Sequence, residues 1–351
     1  MKQHFTKLLL QWHQNINTRT MPWKGEKDPY KIWLAEIILQ QTRVEQGLPY
    51  YNNFIAKYST IIDLANGKDD DVFKLWEGLG YYSRCRNLLF TARYIRDNYH
   101  GKFPTAYHEI ITLKGVGSYT AAAIASFAYG LPYAVVDGNV YRVLARYFNN
   151  STAIDSTAGK KMFSQLAQEL LPINHPANFN QAIMDFGATV CTPKNPTCSS
   201  CILKKHCKAF EFETVLNLPI KEKKLQKKYR FFYFFILNFK EEIYIEKREG
   251  NDIWQNLHQF YLIETDEPQH LTKNNLTKLL SNVLANNDYS IKSISEVYKQ
   301  TLTHQKIEGN FIEISLLKKP KMKTNKGFWI KMQHIKNYAF PKFINEYLNT
   351  T

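Results

Sequence analysis

The chain has 351 residues, a length for two domains or three. An apolar share of 44% and an aromatic share of 14% are globular values and exclude a chain without a core. The net charge of +15, from 46 Lys and Arg against 31 Asp and Glu, favours a polyanionic partner, nucleic acid first, although a merely basic soluble protein would carry the same excess.

Leu8-Leu9-Leu10 is an apolar run too short for a signal peptide or a membrane span, so no membrane role and a cytoplasmic location are expected. Residues 1 to about 215 read as helical, with apolar residues three and four apart around Leu8, Trp12, Ile32, Leu39, Phe54, Ile61 and Leu64. Thr18 to Lys27 reads as an ordered loop. Asp28-Pro29 is a helix start with proline near the first helical position. That helix carries Ile32, Trp33, Ala35, Ile37, Ile38 and Leu39, with Glu36 its one acid, and a solvent-facing Glu36 is the plain reading. Phe103-Pro104 precedes another helix. Gly115 to Gly117 separates two helical segments, the second being Thr120 to Tyr129. Composition shifts near residue 218, where Pro219 and Lys221, Lys223, Lys224, Lys227 and Lys228 read as a linker. Tyr229 to Phe239 is aromatic and strand-like. Short strands are expected at Glu242–Arg248, Gln259–Glu264 and Glu308–Leu317, and a helical segment at Leu276–Leu284.

Three places carry chemistry. Cys191, Cys198, Cys201 and Cys207 form C-x6-C-x2-C-x5-C, a metal or iron–sulfur ligand set with a zinc knuckle as the alternative. Cys85 stands alone, so the cysteines are not a disulfide framework and a reducing compartment is expected. Leu113-Lys114-Gly115-Val116-Gly117 is a hairpin between helices. Its two glycines permit a tight turn that offers backbone N–H groups to a phosphate without reading a base, and Lys114 adds a charge. Asp137, in Val135-Val136-Asp137-Gly138-Asn139-Val140, reads as a helix N-cap, a role that does not exclude another.

Together the hairpin, the aspartate and the cysteines resemble DNA glycosylases of the endonuclease III superfamily. Glu36 to Thr42 matches E-x-x-L-Q-Q-T of adenine DNA glycosylases of the MutY type. The resemblance implies a mainly α, two-lobed helix-hairpin-helix glycosylase domain with an iron–sulfur loop, plus a C-terminal α+β Nudix-like domain. The corresponding boundaries are 1–218 with the loop at 191–207, a linker at 219–229, and 230–351. It implies Glu36 as catalytic acid and Asp137 as the carboxylate that stabilises positive charge at the sugar C1′. Tyr119 stands where lyase members carry a lysine nucleophile, and a tyrosine forms no Schiff base, so a monofunctional enzyme is expected.

Trp76 to Arg84 resembles the loop that wedges into the duplex, with Gln41 and Tyr81 flanking the lesion base and Thr42 beside them. Gln181, in Phe179 to Gly187, is an expected adenine-edge contact. Leu302-Thr303-His304 resembles the F-S-H motif that touches 8-oxoguanine, so Thr303 and His304 are expected there. The Nudix hydrolase box is missing, which argues against pyrophosphohydrolase activity, and Ile253 to Phe260 reads as core. The four cysteines would hold a [4Fe–4S] cluster and aim Lys194 at a phosphate. The implied partner is duplex DNA containing 8-oxoguanine:A or G:A, bound by a monomer. Two rivals remain: an endonuclease III-like glycosylase/lyase, opposed by Tyr119, and a non-catalytic redox-sensing DNA-binding protein, opposed by Glu36 with Asp137.

Overall fold

The computed structural model describes residues 2–222, 226–281, 284, 289–320, 322 and 327–350. Lys223 and Lys224 of the expected linker, and Asn282 and Val283 of the expected segment Leu276–Leu284, lie outside the described residues. The helices described are α1 (Lys2–Asn15), α2 (Pro29–Leu39), α3 (Val44–Lys57), α4 (Ile61–Asn66), α5 (Asp69–Trp76), α6 (Ser83–Asn98), α7 (Tyr107–Ile110), α8 (Ser118–Tyr129), α9 (Gly138–Tyr147), α10 (Thr157–Leu170), α11 (Pro176–Thr189), α12 (Lys208–Glu211), α13 (Lys273–Leu280) and α14 (Lys342–Leu348). The strands are β1 (Lys228–Phe239), β2 (Glu242–Lys247), β3 (His258–Gln259), β4 (Tyr261–Thr265), β5 (Tyr289–Ile294), β6 (Tyr298–Thr301), β7 (Gln305–Leu316) and β8 (Gly327–Lys331). The chain divides into two compact units, residues 1–66 with 87–223, and residues 67–86 with 224–351.

The first unit is helical. Phe5, Leu9 and Trp12 line one face of α1 at helical spacing and pack against α11 and α9, with Trp12 edge-on to Phe186 at 4.9 Å and Phe5 tilted on Tyr147 at 4.7 Å. Burial continues through α10 and α11 in Phe163, Ala167, Phe179 and Ile183. Helix α2 is buried from Ile32 to Ile38 and needs a neighbour that lets its backbone approach. Helix α8 supplies it: Ala121, Ala122, Ala123 and Ala125 are small, and the two helices pack together. The start of α2 is set locally. Asp28 accepts from Tyr30 N at 2.9 Å and Pro29 opens the helix, a cap worth about 1 kcal/mol.

The second unit is a mixed sheet in the order β3-β2-β1-β7-β5, with β4 beside β1, β6 beside β7 and β8 beside β2. Strands β1 and β7 run parallel from Lys228↔Gln305 to Asn238↔Ser315, and the other pairs are antiparallel. A central strand covered on both faces is apolar at successive positions, which explains Phe232 to Leu237. Tyr233, Phe235 and Leu237 share a core with Leu276 and Leu280 of α13. Phe234 packs on Phe311 and on Phe343 of α14.

Residues 67–86 belong to this unit. Glu77 Oε1 accepts from Phe340 N at 2.8 Å and from Asn345 Nδ2 at 3.0 Å, Lys74 Nζ donates to Tyr338 O at 3.1 Å, and Arg86 donates to Gln255 O at 3.2 Å.

Several elements differ from expectation. The strand expected at Gln259–Glu264 is two strands, because β3 pairs with β2 (Glu246↔Gln259) while β4 pairs with β1 (Phe235↔Tyr261). The buried Phe260 marks the change of partner. Helix α13 starts at Lys273, capped by Thr272, and ends at Leu280 rather than spanning 276–284. Strands β5, β6 and β8 and helix α14 were not expected. Of the residues in these three strands only Ile330 is buried, so they carry little of the apolar signal that marks a strand.

Candidate active site

A cleft of about 920 Å³ opens in the first unit. Its walls include Glu36 and Gln41 from α2 and the turn after it, Tyr119 from α8, Asp137 and Asn139 at the start of α9, Gln181 and Met184 from α11, and Arg19 and Lys24 from the loop after α1. Four of the expected site residues, Glu36, Asp137, Tyr119 and Gln181, therefore face one space, together with Gln41 and Thr42.

Glu36 is not solvent-facing. It is 9% exposed on the otherwise apolar α2. Burial pushes its carboxyl up to about 7, helped by the charge of Asp137 and opposed by a hydrogen bond from the Tyr119 hydroxyl. The Tyr119 hydroxyl also lies 3.4 Å from the Met184 sulfur. Burial and the two neighbouring carboxyls raise the tyrosine far above its ordinary range, so it stays protonated and serves as a donor.

Asp137 is the N-cap of α9: Oδ1 accepts from Val140 N at 2.8 Å and Oδ2 from Asn139 Nδ2 at 2.7 Å. Burial raises its carboxyl, while these hydrogen bonds and the charge of Arg142 act in the opposite direction. Arg142 is 8% exposed and continues the network. It donates to Asn139 Oδ1 at 2.8 Å, to Gly187 O at 2.6 Å and to Cys191 O at 2.7 Å. One guanidinium thus ties the carboxylate's own partner to the cysteine segment.

The four cysteines line a second, smaller cavity with Val143, Arg146, Tyr147, Phe186 and Leu203. Arg146 is 2% exposed, and its guanidinium donates to Thr192 O at 2.7 Å, Pro193 O at 3.0 Å and Cys191 Sγ at 3.4 Å. Four thiols in one apolar-walled space beside a buried cation fit a thiolate-held inorganic group. None of the four is in a disulfide, and among the described residues no three His, Cys, Asp or Glu side chains are gathered as they are around a single metal ion. Lys194 is exposed.

The hairpin has the expected form. Gly115 has φ +82°, and a Cβ there would lie 2.7 Å from Asn87 Cβ, so glycine is required. Gly117 precedes α8 at φ −93° with open space around it, so its need is not conformational. Lys114 Nζ sits 4.3 Å from the Phe90 ring centroid and is not on the cleft wall.

Two non-glycine residues singled out from the sequence, Gln41 and Tyr81, are exposed and left-handed, at φ +57° and +48°. Such backbone is held only where surroundings enforce it and concentrates at working sites. Gln41 belongs to the first unit and Tyr81 to the second. Within the second unit the Tyr81 hydroxyl lies 2.9 Å from the Thr303 hydroxyl. Thr303 and His304 form the turn between β6 and β7, and His304 O accepts from Lys228 N at 2.9 Å. Sequence reasoning did not single out Arg19, Lys24, Asn139, Arg142 or Asp185. Asp185 was detectable as an acid four residues after Gln181 on an apolar helix.

Residues 34–172 match the model of the HhH-GPD superfamily base excision DNA repair protein, and residues 232–350 match the NUDIX domain. Fold and site together define a helix-hairpin-helix DNA glycosylase with a Nudix-like domain. Over 344 residues the chain is 35% identical to the adenine DNA glycosylase of Buchnera aphidicola subsp. Baizongia pistaciae, covering 96% of this chain and 93% of that one. It is 41% identical over 210 residues to the human adenine DNA glycosylase, covering 57% of this chain and 38% of the relative. A solved thermostable thymine-DNA glycosylase superposes with a TM-score of 0.56 at 32% identity, over 60% of this chain and 97% of that one. The chain belongs to the adenine DNA glycosylase family, enzymes that hydrolyse N-glycosyl bonds in base excision repair.

Proposed function

We propose that this enzyme removes adenine mispaired with 8-oxoguanine or guanine in duplex DNA, and that it is monofunctional. The observation that carries the reading is Glu36: a buried carboxyl held near pH 7 in the same cleft as a hydrogen-bonded, cation-compensated Asp137. Burial raises both carboxyls, but only Asp137 has several hydrogen-bond donors and a nearby arginine to oppose it, a contrast that suits an acid role for Glu36 and a carboxylate role for Asp137.

The adenine must leave the stack for its C1′–N9 bond to be reached, at a cost of a few kcal/mol that is lower at a mispair. Glu36 then donates its proton to N7, and the bonding pair leaves with the base. Positive charge develops at C1′, and Asp137 stabilises it. On a retaining route Asp137 attaches transiently to C1′. Water then forms a bond to C1′ as the Asp137–C1′ bond breaks and its electron pair returns to the Asp137 carboxylate. The water's proton goes to the Glu36 carboxylate, which restores the acid. Tyr119 orients Glu36 and supplies no amine. The lysines on the cleft wall are both engaged, Lys24 with Asp185 and Lys27 with Phe127 O at 2.9 Å. This supports hydrolysis without strand cleavage.

Around this chemistry, Gln41, Thr42 and Tyr81 would meet the opened duplex, and Lys114, Gly115 and Gly117 a phosphate. Thr303 and His304 would meet 8-oxoguanine. Labour would then divide between residues 1–218 and 230–351, joined by 219–229, in a monomer of the cytoplasm. The four cysteines would hold a [4Fe–4S] cluster, which would organise the segment from Cys191 to Cys207 and stand apart from the chemistry. The spacing C-x6-C-x2-C-x5-C has one C-x2-C pair where zinc sites more often have two, which supports a cluster over one zinc.

Single-turnover reaction with a duplex holding adenine opposite 8-oxoguanine tests the reading. Free adenine should appear, with strand breaks only after alkali. Breaks without alkali would indicate a lyase, and no adenine release would overturn the assignment. Elemental analysis of anaerobically purified protein should find roughly four irons per chain, and its absorbance spectrum a broad band at about 400 nm. One zinc and no iron would reject the cluster.

A further inference from the structure

Behind the cleft wall lies a carboxylate that the chemistry above does not use. Asp185 is fully buried on α11, and it does not line the cleft. Its Oδ1 accepts from Arg19 at 2.9 Å and from Gln181 Nε2 at 3.0 Å. Its Oδ2 accepts from Asn17 Nδ2 at 2.8 Å and from Lys24 Nζ at 3.2 Å. Four donors occupy the four lone-pair sites of a carboxylate. The donors Arg19, Lys24 and Gln181 all line the cleft, so one buried group organises one side of it.

The consequence for Gln181 is chemical. An amide can be turned end for end with little change in shape, but here only one orientation is allowed. With Nε2 toward Asp185 it donates. Turned over, its carbonyl would meet a carboxylate, acceptor against acceptor. Gln181 Oε1 accepts no hydrogen bond from a described residue, and it is the end of the amide left for the cleft.

We propose that Asp185 is a positioning residue for base selectivity: it locks the Gln181 amide so that the cleft presents an acceptor, which fits the 6-amino group of adenine and repels the 6-oxo group of hypoxanthine or guanine. The inference rests on the reading that this cleft receives a flipped purine. Burial matters to its strength, because an acceptor facing an acceptor away from water costs more than a lost hydrogen bond.

The test is single-turnover excision of adenine and of hypoxanthine by the full-length protein, each placed opposite 8-oxoguanine. The two bases share N7 and N9, so the proton from Glu36 serves both alike. The wild-type chain should strongly prefer adenine. In Asp185→Asn the new amide can donate to Gln181 Oε1 and let the Gln181 side chain turn, so the adenine-to-hypoxanthine ratio should fall roughly tenfold or more. In Asp185→Asn with Gln181→Glu, both oxygens of the new carboxylate accept whichever way it turns, and the ratio should recover. Gln181→Leu, which leaves Asp185 in place, should lower the ratio as well, and it keeps the test open if Asp185→Asn folds poorly. Equal slowing of both bases in Asp185→Asn, no recovery in the double variant, or an unchanged ratio in Gln181→Leu would overturn the proposal. A wild-type chain that releases neither base would overturn the reading of the cleft, and this inference with it.

Discussion

On the α2 wall of the cleft, Glu36 sits among Ile32, Trp33, Ala35 and Ile37, with Tyr119 as its hydrogen-bond donor and no cation among the causes of its shift. On the α9 wall, Asp137 takes a backbone N–H, a side-chain amide and the nearby charge of Arg142. Burial disfavours the charge on both. Only on the α9 wall is that penalty opposed by several donors and a cation. The difference teaches that an acid's role follows from where its donors stand. A carboxyl in an apolar helix keeps its proton near neutrality, and one at a helix start next to an arginine is placed to be an anion.

The strongest way to break this comparison is to remove the proton from one side. Glu36→Gln keeps shape and burial but cannot protonate N7. Single-turnover excision should fall by roughly 10²–10⁴-fold or more, while the variant still binds the mispaired duplex. The wild-type rate should also decline as pH rises through about 7, where Glu36 ionises. Near-normal excision by the variant, or a flat profile between pH 6 and 8.5, would remove Glu36 from its role.

On the other wall, Asp137→Asn should separate cap from charge. Asparagine keeps an oxygen for Val140 N, and its Nδ2 loses only the hydrogen bond from Asn139, so thermal stability should move by no more than about 0.5–1.5 kcal/mol. The stabilisation of C1′ is lost, and excision should drop by roughly 10²–10³-fold. A variant that loses far more stability than one hydrogen bond is worth would mean that the cap, not the anion, is what the cleft needs.

Stability offers a further contrast at Glu36. Its native pKa, about 7, lies above the ordinary 4.5. The folded chain therefore holds a proton that the unfolded chain releases. That contribution is fully present below about pH 4.5 and is lost as pH rises through about 7. Glu36→Gln should melt like the wild type at pH 4.5 and above it at pH 8, by up to about 3 kcal/mol. Equal melting at both values would show that burial does not penalise the Glu36 charge.

What could be read in advance follows from how local each cause is. The α2 start was legible because Asp28 and Pro29 act within one turn, and the hairpin because Gly115 answers its own φ. The cysteine spacing and the Glu36 to Thr42 motif were legible because each is contiguous. The burial of Glu36 was not, since it depends on α8 packing across α2. Nor was the ring of donors around Asp185, which joins Asn17, Arg19 and Lys24 to a residue more than 160 positions away. The strand split at Phe260 was hidden for the same reason, because pairing partners are not written in the strand itself. Residues 67–86 show it most plainly: their sequence neighbours are helical, yet Lys74, Glu77 and Arg86 hydrogen-bond to Tyr338, Phe340 and Gln255.

That last grouping leads to the smallest expected effect. Thr303 is hydrogen-bonded to Tyr81 inside the second unit, whereas Glu36 and Asp137 belong to the first. If Thr303 and His304 meet 8-oxoguanine, removing them should weaken lesion recognition by about 1–3 kcal/mol per contact and leave the chemistry intact. Thr303→Ala with His304→Ala should lose much of the preference for 8-oxoguanine:A over G:A, with little change in the G:A rate. Thr303→Ser keeps a hydroxyl for Tyr81 and should keep most of the preference. Tyr81→Phe removes the other half of that pair and should cost about 0.5–1.5 kcal/mol, the net worth of one neutral hydrogen bond. Both rates must be taken at one salt concentration, because phosphate contacts make affinity salt-dependent. Equal slowing on both substrates would assign the β6–β7 turn to general DNA binding or folding. An unchanged preference in the double variant would remove it from lesion recognition altogether.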